Sequence, residues 1–422
     1  MASSSWEIFL ASSPEGPITA YDANTGNALA YFSNGSRSSP RKGLTLAGKT
    51  LIATSHIPST TTSSSMICLY NWWSSAPFRH LPVPEPVAPL AATPDGLYLF
   101  CGGLSGQIHT LSLPSGDLLR SSTIHRRPIT CLKINSEVDG SLLISGGDDG
   151  AIAVLSIMQL LDSTATTPSE DNSSISQLAL HHFPAHSSSV TAIESSVVGC
   201  NTTIVSCSLD CTCKFWSLAS GAHMRTVRFP CVIWCVAMDP TMSEFYAGGA
   251  DGRVYVGKLK VVSRRRQLST DRDADVEVAT WAQEHNGAVT ALAMANQDQC
   301  LVSASEDGSI KVWEVESGKV IRVVGQERSN GISDLVVAKG IASSNSGFNI
   351  RRNDGAVVRA GDDFGGFSGR EIAKQQRPVK EVMEMEECLG VVVKDRRRAI
   401  ETLEGAIGTY ERLLTLFLNE AK

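Results

Sequence analysis

Four stretches of this chain align with one another without gaps: "LLISGGDDGAIAVLSI" (142–157), "TIVSCSLDCTCKFWSL" (203–218), "EFYAGGADGRVYVGKL" (244–259) and "CLVSASEDGSIKVWEV" (300–315). A repeat constrains the fold before any local feature does, because one such unit cannot bury its apolar face alone and must stack on its neighbours. Each copy holds an apolar run, small residues, a tight turn and a second, alternating run. The turn dipeptide, Asp-Gly in three copies, supplies the positive φ that a short hairpin connection needs. Ile310, Val312 and Val315 mark a strand packed on its faces. A weaker copy, "LYLFCGGLSGQIHTLSL", spans 97–113.

Each hairpin is preceded by a shorter strand pattern: "GLTLAG" (43–48), "VAPLAAT" (87–93), "ITCLKIN" (129–135), "VTAIESS" (190–196), "VIWCVAMDP" (232–240) and "VTALAMA" (289–295). One more strand follows, as in "HMRTVRF" (223–229) and "KVIRVVG" (319–325). Four strands per unit, recurring every few tens of residues, predict the blades of a β-propeller. Polar insertions at 162–176 and 263–275, and a Ser/Thr-rich loop at 59–65, lengthen some intervals. Residues 7–32 read as three strands without an innermost one, and "GISDLVVAKG" (331–340) is an orphan strand. Joining them gives seven blades and closes the ring, which removes open sheet edges. The expected propeller is residues 1–340, closed by a strand at 331–338. Six blades with one degenerate unit is the competing count.

The bulk properties agree with a packed all-β fold. The 422 residues are 42% hydrophobic and 19% charged, enough for a large core and against global disorder. A net charge of −6 gives no whole-chain attraction to nucleic acid or acidic membranes. Eleven cysteines at irregular spacings show no disulfide framework, which suits a reducing compartment such as cytosol or nucleus. The start, "MASSSWEIFLASS", lacks a basic n-region, and no apolar run approaches the roughly 20 residues of a membrane helix.

The spacing of His285, Asp307 and Trp313, repeated by His186, Asp210 and Trp216, resembles the WD-repeat family over about residues 6–338. Glu314 and Ser217 stand where the family has its second Asp, and Tyr21-Asp22 stands at that dipeptide in the first unit. The resemblance implies a buried chain from Trp to a strand Ser, to His, to the turn Asp. Ser303 and Ser206 are the candidate serines of blades seven and five. Blade four keeps His125, Ser145 and Asp149 but has Leu155 at the Trp position, while Leu111 and Gly257 occupy it in blades three and six. Polar networks are stable only when every member is satisfied. The network is therefore expected whole in blades five and seven, with apolar packing elsewhere.

Other chemistries fit poorly. His-Asp-Ser sets that recur once per blade are structural, whereas a catalytic triad occurs once, at a cleft. Cys231 and Cys235 could fit a loose zinc spacing, but "VIWCVAM" reads as a blade strand, while Cys207 falls on a strand and Cys211 at the turn glycine position, which with Cys213 makes a zinc site a poor fit. No metal or cofactor is expected. "SRRR" (263–266), "IRR" (350–352) and "DRRRAI" (395–400) could attract phosphate, but no aromatic stacking platform accompanies them. Direct RNA contact stays open.

Residues 341–378 are rich in Gly and Arg and read as a flexible linker. Beyond Pro378 a helix is expected over 379–421. Ile400, Leu403, Ile407, Tyr410, Leu414 and Phe417 follow a strict 3-4 spacing that extends back to Val393, a coiled-coil seam for self-association or a partner helix. Folding back onto the propeller is the alternative. Gly405 and Gly408 each cost such a helix about 1 kcal/mol, which burial must offset. Ring, linker and terminal helix, with an N-terminus that starts directly in blade one, resemble the WD-repeat subunit of the rixosome, a pre-ribosome assembly complex. The resemblance implies a non-enzymatic scaffold for large-subunit (pre-60S) maturation and pre-rRNA spacer processing, in the nucleolus and nucleoplasm. It implies an α-solenoid scaffold and a midasin-type AAA ATPase as partners, and a homodimer through the terminal helix. A ubiquitin-ligase substrate receptor or signalling scaffold is the other reading.

Overall fold

The computed structural model describes residues 7–32, 39–56, 65–72, 74–135, 142–161, 178–198, 201–239, 243–259, 278–295, 299–325 and 331–339. Within them, 28 strands form seven four-stranded antiparallel sheets, the seven blades the repeats predict. The expected linker, the helix over 379–421 and its seam residues Val393, Ile400, Leu403, Ile407, Tyr410, Leu414 and Phe417 lie outside the described residues.

Six blades are built from consecutive strands; blade seven, for example, runs Val289–Ala295, Cys300–Ser305, Ile310–Glu314 and Lys319–Val324. Blade one takes Glu7–Ser12, Ile18–Asp22 and Ala28–Phe32 from one end of the ring and Asp334–Lys339 from the other. The shared pair is antiparallel, from Glu7 opposite Lys339 to Ser12 opposite Asp334.

The core lies between blades rather than within them. Seven apolar clusters among the described residues each join two neighbours, such as Trp216 with Ile152 across blades four and five, and Trp313 with Tyr246 across blades six and seven. Ring stacking reinforces two of these contacts. Phe183 of blade four lies 4.6 Å from Trp216, and Trp281 stacks on Trp313 at 5.2 Å. A blade is thus half of two cores, so neighbours are needed for either to be dry.

In blade five, Cys207 and Cys213 sit directly opposite on adjacent strands with their sulfurs in contact. Sheet register, not sequence distance, brings the two together. Cys101, Cys131, Cys211, Cys231 and Cys235 carry free thiols.

Candidate functional site

Three blades carry the same polar brace at their tight turns. In blade seven, the Trp313 indole N–H donates to Ser303 Oγ at 2.7 Å, and Ser303 Oγ lies 2.7 Å from His285 Nε2. His285 Nδ1 is 3.0 Å from Ser309 Oγ and 3.4 Å from Asp307 Oδ2. In blade five, Trp216 donates to Ser206 Oγ at 2.9 Å, Ser206 meets His186 Nε2 at 2.8 Å, and His186 Nδ1 meets Asp210 Oδ2 at 2.9 Å. Blade four holds His125 between Ser145 Oγ (2.9 Å) and Asp149 Oδ1 (3.1 Å), with buried Leu155 in place of the indole.

Each Asp also accepts two backbone amides. Asp307 takes those of Asn286 and Ser309, Asp210 those of Ser187 and Thr212, and Asp149 those of Arg126 and Ala151. Burial opposes ionisation of all three carboxyls. The histidine and these donors outweigh it and hold each below the usual carboxylate range. Burial pushes His285 down to about 4 and His186 below its ordinary value. In blades five and seven the ground state is therefore neutral imidazole beside a charged carboxylate. An Nδ1–H facing the Asp side then leaves Nε2 to accept the serine proton, while the serine oxygen accepts the indole.

The histidines also tie blades together. The amides of His125 and His186 donate to Gly106 O (3.0 Å) and Gly150 O (2.9 Å), the turn glycines of the preceding blades, while their side chains engage the next. A Cβ on Gly106 or Gly150, both at positive φ, would strike the carbonyl oxygens of His125 and His186. Cys211 holds the same turn position in blade five at φ 61°.

Apolar packing takes the Trp position in blade four, where Leu155 is buried, but blades three and six add polar networks that the repeats did not suggest. Blade three rebuilds a network around His109. Its Nε2 meets Glu85 Oε1 at 2.9 Å, its Nδ1 meets Ser121 Oγ at 2.8 Å, and Ser105 donates to Glu85 through hydroxyl and amide. Burial opposes the shift, but Ser105 and His109 hold the Glu85 carboxyl below its usual range. Blade six uses Tyr255, which donates to Asp251 Oδ2 at 2.6 Å and accepts from the Cys231 thiol at 3.6 Å. The physical reason is that polar groups at the tight turn need partners whatever its sequence: Tyr255 reaches the turn Asp251 from the third strand, and Glu85 links the turn Ser105 to His109.

Sequence reasoning also missed a set of threonines. Thr130, Thr191 and Thr290 sit where the innermost pair shifts register, and each hydroxyl donates to the next blade: to Val190 O (2.5 Å), Ile233 O (2.6 Å) and Ile332 O (2.8 Å). Their signal was visible as the recurring Thr in "ITCL", "VTAI" and "VTAL".

The brace groups are turned toward one another. Ser206, Ser303 and His285 are fully buried, and every polar atom of the brace faces another. Among the described residues, no group of three or more His, Cys, Asp or Glu side chains is placed to hold a metal ion. No described helix is long and apolar enough to cross a membrane.

Seven blades, a shared closing sheet and repeated Trp–Ser–His–Asp braces define a WD-repeat β-propeller. A family model described as "WD domain, G-beta repeat" matches residues 116–154, 178–217 and 277–314, the regions of the three blades that carry the His–Ser–Asp brace. Root Initiation Defective 3 of Arabidopsis thaliana is 32% identical over 394 residues, 92% of this chain and 82% of that protein, and the chain belongs to its family of WD-repeat proteins. Human WD repeat-containing protein 18 is 29% identical over 57% of this chain, a match spanning 53% of the human protein. Pre-rRNA-processing protein crb3/ipi3 of Schizosaccharomyces pombe is 24% identical over 72% of this chain and 71% of its own length. The crystal structure of the computationally designed Ika8 protein resembles the fold at TM-score 0.53 and 19% identity, over 79% of this chain and 87% of that one.

Proposed function

We propose that this protein is a scaffold subunit of a rixosome-type complex that supports large-subunit maturation and pre-rRNA spacer processing. The observation that carries the reading is the near full-length similarity to Root Initiation Defective 3, joined by relatives named as pre-rRNA-processing proteins. The brace chemistry supports a non-enzymatic role, since the serine and histidine of each complete network are buried and committed to one another. A propeller offers rigid faces to several partners at once, which suits assembly with an α-solenoid scaffold and a midasin-type AAA ATPase on pre-60S particles. The helix expected over 379–421 pairs two copies through Val393, Ile400, Leu403, Ile407, Tyr410, Leu414 and Phe417. The protein acts in the nucleolus and nucleoplasm.

Depletion of the protein followed by hybridisation against the internal spacers tests this. Spacer-containing large-subunit precursors should accumulate. Normal precursor levels, with the protein copurifying with a ubiquitin-ligase adaptor, would instead favour a substrate-receptor role.

A further inference from the structure

Residues 39–44, Ser-Pro-Arg-Lys-Gly-Leu, lead into blade two, yet their partners lie on four other blades. The Ser39 amide donates to Pro14 O of blade one at 3.0 Å. Arg41 pairs with Glu306 in the tight turn of blade seven, and its guanidinium lies 4.2 Å from the ring centroid of Trp234 on the innermost strand of blade six. The Lys42 carbonyl accepts the Leu90 amide of blade three at 3.0 Å, with Lys42 itself at φ 60°. The Leu44 amide donates to Asp334 Oδ2 on the closing strand at 3.1 Å.

Blades two and six stand three places apart in a ring of seven, the widest separation such a ring allows. One side chain can bridge them only if its backbone lies near the ring axis. Lys42 gives the same placement. Burial pushes the Cys131 and Cys235 thiols up to about 12 and raises the Asp334 carboxyl, and the Lys42 ammonium opposes the shift at all three. Those residues sit on the innermost strands of blades four, six and one.

We propose that residues 39–44 form a strap that seals this mouth of the central channel and fixes the ring-closing seam through Arg41 and the Leu44–Asp334 bond. The strap differs in kind from the strand exchange in blade one. Its cross-channel anchor is a part-exposed ion pair, Arg41 36% and Glu306 50% accessible, plus one cation–π contact. Such contacts are individually weak, so the strap can lift while every sheet persists. A shallow cleft lined by Pro14, Pro40, Arg41, Glu306 and Ile332 marks where it would part from the rim.

Hydrogen exchange on the full chain tests the strap through the amides it holds. In Arg41→Ala and in Glu306→Ala, exchange at Leu44, Leu90 and residues 334–339 should rise about tenfold, with the inner strand of blade five unchanged. Lys133→Ala, which breaks the 2.7 Å Lys133–Glu194 pair between blades four and five, should leave the seam as in the parent. Unchanged protection at the seam in both strap variants, or an equal rise in every blade, would overturn the proposal. If Arg41→Ala gives no folded protein, Arg41→Gln and Glu306→Ala are read at the same amides by the same criteria.

Discussion

Ser303 and Ser145 hold the same place in two blades and carry different loads. Ser303 satisfies both the Trp313 indole and His285 Nε2, whereas Ser145 meets only His125 because Leu155 replaces the indole. Removing a hydroxyl strands each buried group that faced it. Ser303→Ala should cost about 2–4 kcal/mol and Ser145→Ala about half that, read from denaturant midpoints. Equal costs would mean that the indole is not part of the brace. His285 adds a pH dependence of definite sign. With a folded value of about 4 against an ordinary 6.5, the unfolded chain binds the proton first as pH falls. Stability is then full above pH 6.5 and is lost progressively toward pH 4, by about 3 kcal/mol. Urea denaturation at pH 7.5, 5.5 and 4.5 should show this slope, and His285→Asn should flatten it. The braces of blades five and seven were legible because His, Asp and Trp recur at fixed spacing. The Glu85–His109–Ser121 cluster was not, because its members occupy no repeated position: sheet register sets Ser121 opposite His109, and Glu85 comes from the loop before Val87.

Strands join into a ring through two kinds of reach that lie outside alternation patterns. On the inside, bulges turn Thr130, Thr191 and Thr290 toward the next blade, where an unbroken pleat would have pointed them elsewhere. On the outside, arginines of outermost strands donate to carbonyls of the following blade: Arg79 to Pro114 O, Arg120 to Gln159 O and Arg322 to Ala23 O. The sequence displays the threonines three times over, but a period of two assigns only a face and cannot show a bulge. Thr290→Val keeps the shape and removes the donor that links Ala304 O and Ile332 O. It should cost about 1 kcal/mol and speed amide exchange at 334–339 more than at blade five. A loss spread evenly around the ring would show that Thr290 acts only within its own blade.

At the scale of the whole molecule, the ring count follows from the repeats and the closing sheet from an unpaired strand pattern at each end of the ring. Strand count and pairing are visible in sequence because every blade repeats one burial problem. The cross-channel reach of Arg41 is not, since nothing near residue 41 announces Trp234 or Glu306 as its partners. What the ring is for rests on the family relationship, and it too has a whole-molecule readout. Sedimentation of tagged full-length protein from nuclear extract through a low-salt gradient is the most direct measurement. The account predicts that it travels with large-subunit precursors. Recovery only as free protein at the top of the gradient, while those precursors sediment normally, would contradict it.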